Sequence, residues 1–210
     1  RLVRNNMAQA LLNQSEKNPD LWKAFLSIID DPTQDKEWRI FCMQHIANSA
    51  HHADNEGKQA IHQKLLEEVR NPDAEFSSRA LLMLDELERT GNAPLAGQAD
   101  AFVREILKNP TANELSVSTA LGLIGSRKDR RYLPEARLLA REPRPEQRVA
   151  VATLGLIGEQ SDVDLLRKIK AEPGSLLERA VQGAIHRLCR PRQMQRANTS
   201  TGNIIKNSNG

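Results

Sequence analysis

Aromatic side chains are scarce in this chain of 210 residues: two Trp, one Tyr and four Phe, or 3% of the total. Strands of sandwiches and barrels draw on aromatic and β-branched residues, so the shortage argues against an all-β core. Long hydrophobic runs are missing too. No stretch of 18 apolar residues occurs, so no segment reads as a membrane-spanning helix. Cysteine appears only at Cys42 and Cys189, each inside a helical apolar pattern. That placement predicts two buried free thiols acting as small hydrophobes. A disulfide between them would have to join the two ends of an elongated array, beyond the reach of an S–S bridge.

Catalytic signatures are equally thin. The two Gly-x-x-Gly segments, 122–125 and 155–158, lack the strand-to-helix context and the Gly-Lys-Ser/Thr ending of a phosphate loop. Ser and Thr fall at helix starts, turns and the C-terminal segment, where capping accounts for them. His45, His51, His52 and His62 cluster with Asp54 and Glu56, but their spacing fits no metal-ligand signature. They read as solvated helix-end and loop histidines, and His186 stands alone. The expectation is a chain that is not an enzyme and holds no metal or cofactor.

What is abundant is Leu (26) and Ala (23), both strong helix formers. Charge is unevenly spread although the formal net is only +3. Residues 1–114 carry 13 basic and 18 acidic side chains, residues 115–189 carry 13 and 9, and residues 190–210 carry four basic and none acidic. Such polarity bears on partners and solubility rather than on fold.

Proline exposes the organisation. Pro32, Pro72, Pro110, Pro143 and Pro173 recur at intervals of 40, 38, 33 and 30 residues, each in a short polar turn. Proline disfavours helical conformation in the residue before it, and Thr33, Asp35, Asp73, Thr111 and Asn113 then supply helix-start chemistry. Apolar residues at helical spacing precede each proline over 20–30, 59–70, 97–108, 131–141 and 162–171, and follow it over 35–52, 75–90, 113–125, 145–158 and 175–189. A leading helix over 2–17 would cap the first pair. Self-similarity at this period means stacked supersecondary units.

The second helices align with one another. Leu-Gly-Leu-Ile-Gly stands at both 121–125 and 154–158, an offset of 33, and Arg179-Ala180-Val181 matches Arg148-Val149-Ala150 at an offset of 31. Small residues here would let helices approach closely. Gly125 and Gly158 sit where a left-handed helix terminator is wanted. The segment Leu133-Pro134…Leu138-Leu139…Glu142-Pro143…Arg148-Val149-Ala150…Leu154-Gly155-Leu156-Ile157-Gly158 resembles HEAT repeats of the HEAT-like, phycobilisome-lyase type. The pair at 97–125 matches well but lacks the Arg at the start of its second helix, and the two N-terminal pairs match loosely. This resemblance implies an all-α fold: a right-handed α-α superhelix (HEAT/ARM-like solenoid) of about five helix pairs with an N-terminal capping helix. The repeat domain would cover 1–189, and 190–210 would be a flexible basic and polar tail. It also implies a ladder in which Arg39, Arg79, Arg148 and Arg179 pair with acids of adjoining repeats.

Function in such arrays rests on surface residues. Di-iron hydroxylases among HEAT proteins use His-Glu dipeptides, and none of the five histidines here precedes Glu. Chromophore lyases need a pocket that nothing marks. Glycosylase-like members need a basic groove lined with aromatics, and Trp22, Trp38 and Tyr132 are too scattered. One surface signal remains, a basic stretch over 127–148. Arg127, Lys128, Arg130, Arg131, Arg137, Arg141 and Arg144 are its candidate partner-binding residues, since the guanidinium fork grips carboxylate or phosphate. The expectation is a protein-interaction scaffold holding an extended or acidic partner on its curved face and inter-repeat loops. The alternative is a nucleic-acid-binding module using the same stretch.

Overall fold

Proline sets the rhythm of the chain in the computed structural model, which describes residues 6, 9, 10, 13 and 15–190. At three of the five breaks the residue before proline stands in extended backbone, as the ring demands: Asp31 has φ −84° and ψ 104°, Asn109 φ −85° and ψ 109°, Glu142 φ −82° and ψ 130°. In the first three turns the same residue also closes the loop with its side chain. Asp31 Oδ1 accepts the Thr33 N–H (2.9 Å), Asn71 Oδ1 that of Asp73 (2.9 Å) and Asn109 Oδ1 that of Thr111 (3.0 Å). These are Asx turns, in which a short polar side chain stands in for the missing helical acceptor. Glu replaces Asx in the last two turns, and backbone carbonyls take over: Glu142 O accepts from Arg144 N and Glu172 O from Ser175 N.

Between these breaks lie ten α-helices and three 3-10 turns, with no strand among the described residues. They are α1 Leu21–Asp30, α2 Lys36–Ser49, α3 Asn55–Glu68, α4 Ala74–Arg89, α5 Gln98–Lys108, α6 Glu114–Arg127, α7 Leu133–Arg141, α8 Gln147–Ile157, α9 Val163–Arg167 and α10 Leu176–Cys189. The protein is all-α, and every helix read from the periodicity between residues 20 and 189 is present. Asp35, Asp73 and Asn113 cap as their chemistry suggests, accepting from Trp38, Glu75 and Leu115 N–H. Thr33 and Thr111 instead donate back to Asp31 and Asn109. Helix α3 begins four residues earlier than expected because Asp54 caps it through the Gly57 N–H (2.8 Å). The leading helix expected over 2–17 falls almost wholly outside the described residues, as does the tail 191–210; Ser15–Lys17 forms a 3-10 turn.

Two compact units divide between Ala120 and Leu121, inside α6. In the first, α1 packs on α2 and α3 on α4, while α1 meets α3 and α2 meets α4. Ile29, Met43, Ile46, Ile61, Leu65, Leu81, Leu84 and Leu87 fill the shared layer and are fully buried. Trp22 of α1 closes over the start of α3: a methyl group on Gly57 would meet the indole Nε1 at 2.5 Å. Ion pairs also join one helix pair to the next. Lys36 reaches Asp73 (2.6 Å) and Glu75 (2.9 Å), and Lys64 bonds Asp30 and Glu68 (2.8 Å to Glu68).

In the second unit α7 packs on α8, α9 on α10 and α8 on α10. Leu121, Ile124, Leu154 and Ile157 lie at equivalent repeat positions and are all buried. The glycines between them differ. A methyl group on Gly155 would sit 2.7 Å from Ala184 Cα, so α8 and α10 touch backbone to backbone there, whereas one on Gly122 would meet nothing within 4 Å. Helix α6 meets α8 about one turn later, where Gly125 faces Leu156 and Thr153 Oγ1 donates to Leu121 O (3.0 Å).

Two local expectations are corrected. Gly125 lies inside α6, and Gly158 has φ −73°; the left-handed residue after α6 is Lys128 (φ 54°). Cys42 is buried, and burial pushes its thiol up to about 12, but Cys189 is exposed on the last turn of α10.

The two equivalent glycines predict opposite outcomes in urea denaturation. Gly155→Ala should destabilise by about 1–3 kcal/mol through overpacking. Gly122→Ala should stabilise by up to about 1 kcal/mol, the helix-propensity gain.

Candidate functional site

The basic stretch lies wholly in the second unit, and most of it is engaged. Arg127 is half-buried at the end of α6, and Lys128 is exposed at the left-handed turn that follows. Arg131 bonds Asp129, two residues back, through Nε (3.0 Å) and Nη2 (2.6 Å), which holds that carboxyl below its usual range. Arg130 pairs with Glu159 in the next helix pair. Arg137 crosses to Asp162 through two hydrogen bonds (2.6 and 3.2 Å), and Glu159 lies 3.6 Å from its guanidinium. Arg144 pairs with Glu142 (3.3 Å) and Glu146 (3.1 Å). Of the seven, Lys128 and Arg141 are exposed with no side-chain hydrogen bond or ion pair among the described residues. Arg141 differs in its setting. It lines a notch of about 530 Å³ with Arg137, Ser161, Asp162, Leu165 and Lys168.

Arg137 is therefore a strut. Asp162 is 3% exposed, and besides Arg137 it accepts the Glu159 N–H (2.8 Å), closing a capping box at the next 3-10 turn. The arginine ladder expected from the repeat pattern takes another form. Arg39 donates to Ile29 O (2.9 Å) and stacks over Phe76 of the next pair (4.8 Å), while Arg179 donates to Gly174 O (3.2 Å). Arg148 and Arg79 have no acid partner among the described residues.

The site that the sequence reading missed lies in the first unit, on the second helices. A groove of about 430 Å³ runs across α2, α4 and the start of α6. Each helix contributes one face at helical spacing: Glu37, Trp38, Phe41 and Gln44 from α2; Glu75, Ser78, Arg79 and Leu82 from α4; Leu115 and Thr119 from α6. Ile40 and Asp35 complete the lining. Rings form one wall: Trp38 stacks on Phe41 (centroids 5.5 Å), and His45 meets Phe41 edge-on (4.5 Å). Leu115 is 42% exposed, so the lining presents a large apolar side chain to solvent.

Ser78 and Arg79 of the lining lack side-chain partners among the described residues. Ser78 is 5% exposed, and its hydroxyl has no hydrogen-bond partner among the described residues. Arg79 is half-buried and makes no ion pair among them. A buried hydroxyl left unsatisfied costs free energy that a ligand's polar group recovers. Around these stand three carboxylates, Asp35, Glu37 and Glu75.

The repeat alignment held a signal for this groove. Leu115 stands 33 residues before Arg148, in the place where other second helices carry arginine. The loosely fitting first copy brings Trp38 and Phe41 into the same face. Departures from the repeat, rather than its basic run, mark the groove.

The histidines also differ from expectation. His45 and His62 are not solvated: His62 is 7% exposed, His45 is half-buried, and Nδ1 of His45 and Nε2 of His62 have no hydrogen-bond partner among the described residues. Burial pulls both pKa values down, with the Glu88 carboxylate partly opposing it at His62. No three His, Cys, Asp or Glu side chains converge as metal ligands among the described residues. No protein-family profile, curated protein or solved structure matches the chain.

Two outcomes follow from these contacts. Arg137→Glu should cost about 3 kcal/mol or more of stability, because it leaves the buried Asp162 carboxylate facing another acid; a urea midpoint unchanged from wild type would refute the strut. Burial holds both histidines below the ordinary imidazole value of about 6.5 that each regains once unfolded. Below that pH the unfolded chain binds protons that the fold refuses, so stability falls as pH drops. The melting temperature should decrease from pH 7.5 to 5.5, and the double variant His45→Gln, His62→Gln should flatten the decrease.

Proposed function

We propose that the chain is a HEAT-type, right-handed α solenoid of about five helix pairs, serving as a protein-interaction scaffold without catalysis. Supporting the architecture are the 33- and 31-residue offsets between second helices and, within each unit, the packing of second helix on second helix. A helix pair cannot bury its apolar face alone, so stacking supplies the core and leaves a row of second helices to face outward.

The observation that carries the functional reading is the groove across α2, α4 and α6. Its volume lies in the range of ligand-sized clefts, and it concentrates Trp38, Phe41, Leu82 and Leu115 on a surface otherwise poor in aromatics. Apolar and aromatic anchors in a concave site dominate protein recognition energetics. The basic stretch supports an acidic or nucleic-acid partner less well, because Arg130, Arg131, Arg137 and Arg144 already hold carboxylates of this chain.

Selection of a displayed random-peptide library on the purified chain tests the scaffold reading. Enriched peptides should lose about 2 kcal/mol, roughly thirtyfold in Kd, on Trp38→Ala. Leu115→Glu should weaken them as well while changing stability by no more than about 0.5 kcal/mol, as expected for an exposed position. Arg141→Glu should leave binding unchanged. Failure to enrich any peptide, or enrichment indifferent to Trp38 and Leu115, would overturn the assignment of the groove.

A further inference from the structure

We propose that the notch at Arg141 is a binding site for a phosphate monoester carried on a peptide side chain. The site is independent of the groove, since it lies wholly in the second unit. Its floor is already built. Asp162 takes Nε and Nη2 of Arg137 (2.6 and 3.2 Å) and fixes that guanidinium, while Nη1 has no partner among the described residues. Leu165 of α9 adds an apolar patch. The exposed Ser161 hydroxyl, unbonded among the described residues, is an available donor.

Two charges of the lining are unopposed. Arg137 and Arg130 are balanced by Asp162 and Glu159. Arg141 on α7 and Lys168 just past the end of α9 are both exposed, and neither makes an ion pair or side-chain hydrogen bond among the described residues. Acids close to them in sequence are engaged elsewhere or stand apart: Glu142 faces Arg144 (3.3 Å), Asp164 faces Arg167 (3.6 Å), and Glu172 makes no ion pair among the described residues. Neither end of the sequence can neutralise them with an acidic side chain, because residues 1–14 and 191–210 contain no Asp or Glu. Two positive charges from successive helix pairs thus line one small cleft.

A phosphate monoester carries about −1.5 to −2 at neutral pH, which matches two unopposed cations better than the single charge of a carboxylate does. Guanidinium and hydroxyl groups supply directional donors to its oxygens. A nucleic-acid backbone needs a track of cations, and the neighbouring Arg130, Arg131 and Arg144 are already paired. Leu138, one turn before Arg141 on α7, is 57% exposed and offers an apolar contact to a residue beside the phosphate. A lone phosphate ion would not use it. Charge clamp and apolar neighbour together fit a phosphorylated peptide segment.

One labelled peptide in three forms, with phosphoserine, Ser or Glu followed by Leu, tests this by fluorescence anisotropy with the full chain. At about 50 mM salt the phosphoserine form should bind about tenfold tighter than the Glu form, with the Ser form weakest. Arg141→Glu combined with Lys168→Glu should remove the preference without moving the urea midpoint, as both side chains are exposed. Trp38→Ala should leave the preference intact, which separates this site from the groove. No preference for phosphoserine, or one that survives the double reversal, would overturn the proposal. Inorganic phosphate competing as well as the phosphopeptide would overturn the peptide as carrier. A short DNA duplex binding more tightly through the same two residues would replace it with nucleic acid.

Discussion

Each helix pair in this protein depends on a prohibition. Proline cannot donate into a helical ladder, and it forces its predecessor out of helical space. At Asp31, Asn71 and Asn109 a short polar side chain closes the resulting turn, so the break leaves no orphaned N–H. With the chain reversed at regular intervals, successive helices lie side by side, and each exposes an apolar stripe that only its neighbours can cover. The buried layers of Ile29, Met43, Leu81 and Leu84, and of Leu121, Ile124, Leu154 and Ile157, follow from that geometry.

Charges at the helix pairs reinforce the same arrangement. Lys36 bridges to Asp73 and Glu75, and Arg137 bridges to Asp162. These contacts differ in worth. The exposed lysine pairs contribute little in water, whereas Arg137 holds a carboxylate that is nearly sealed from solvent and also organises the next turn. A basic run in the sequence thus serves the stability of the second unit, and its formal charge overstates what stands free on the surface.

Helix existence and pairing were legible because proline spacing and apolar periodicity are one-dimensional signals. Caps were legible where Asp or Asn stood at the break, as at Asp35, Asp73 and Asn113. Burial of particular polar groups was not. Nothing in the spacing of His45 and His62 marks them as covered, yet they lie inside α2 and α3 and the fold shields them, and Cys189 escapes cover although its helix pattern is apolar. Gly122 and Gly155 share an identical pentapeptide context but only the second meets a neighbouring backbone, since helix crossings depend on register between repeats. The groove was the hardest to foresee: it needs residues near 38, 78 and 115 brought to one place, and its lining shows up in the sequence only as departures from the repeat.

Leu115 has a bearing on how such a surface changes over generations. It is 42% exposed and contributes little to the interior, so substitutions there meet almost no folding constraint. The buried positions two to nine residues further along α6, Val117, Ala120, Leu121, Leu123 and Ile124, tolerate far less. On the proposed reading of the groove, selection can therefore retune recognition at one helical step while the buried side chains beneath stay fixed.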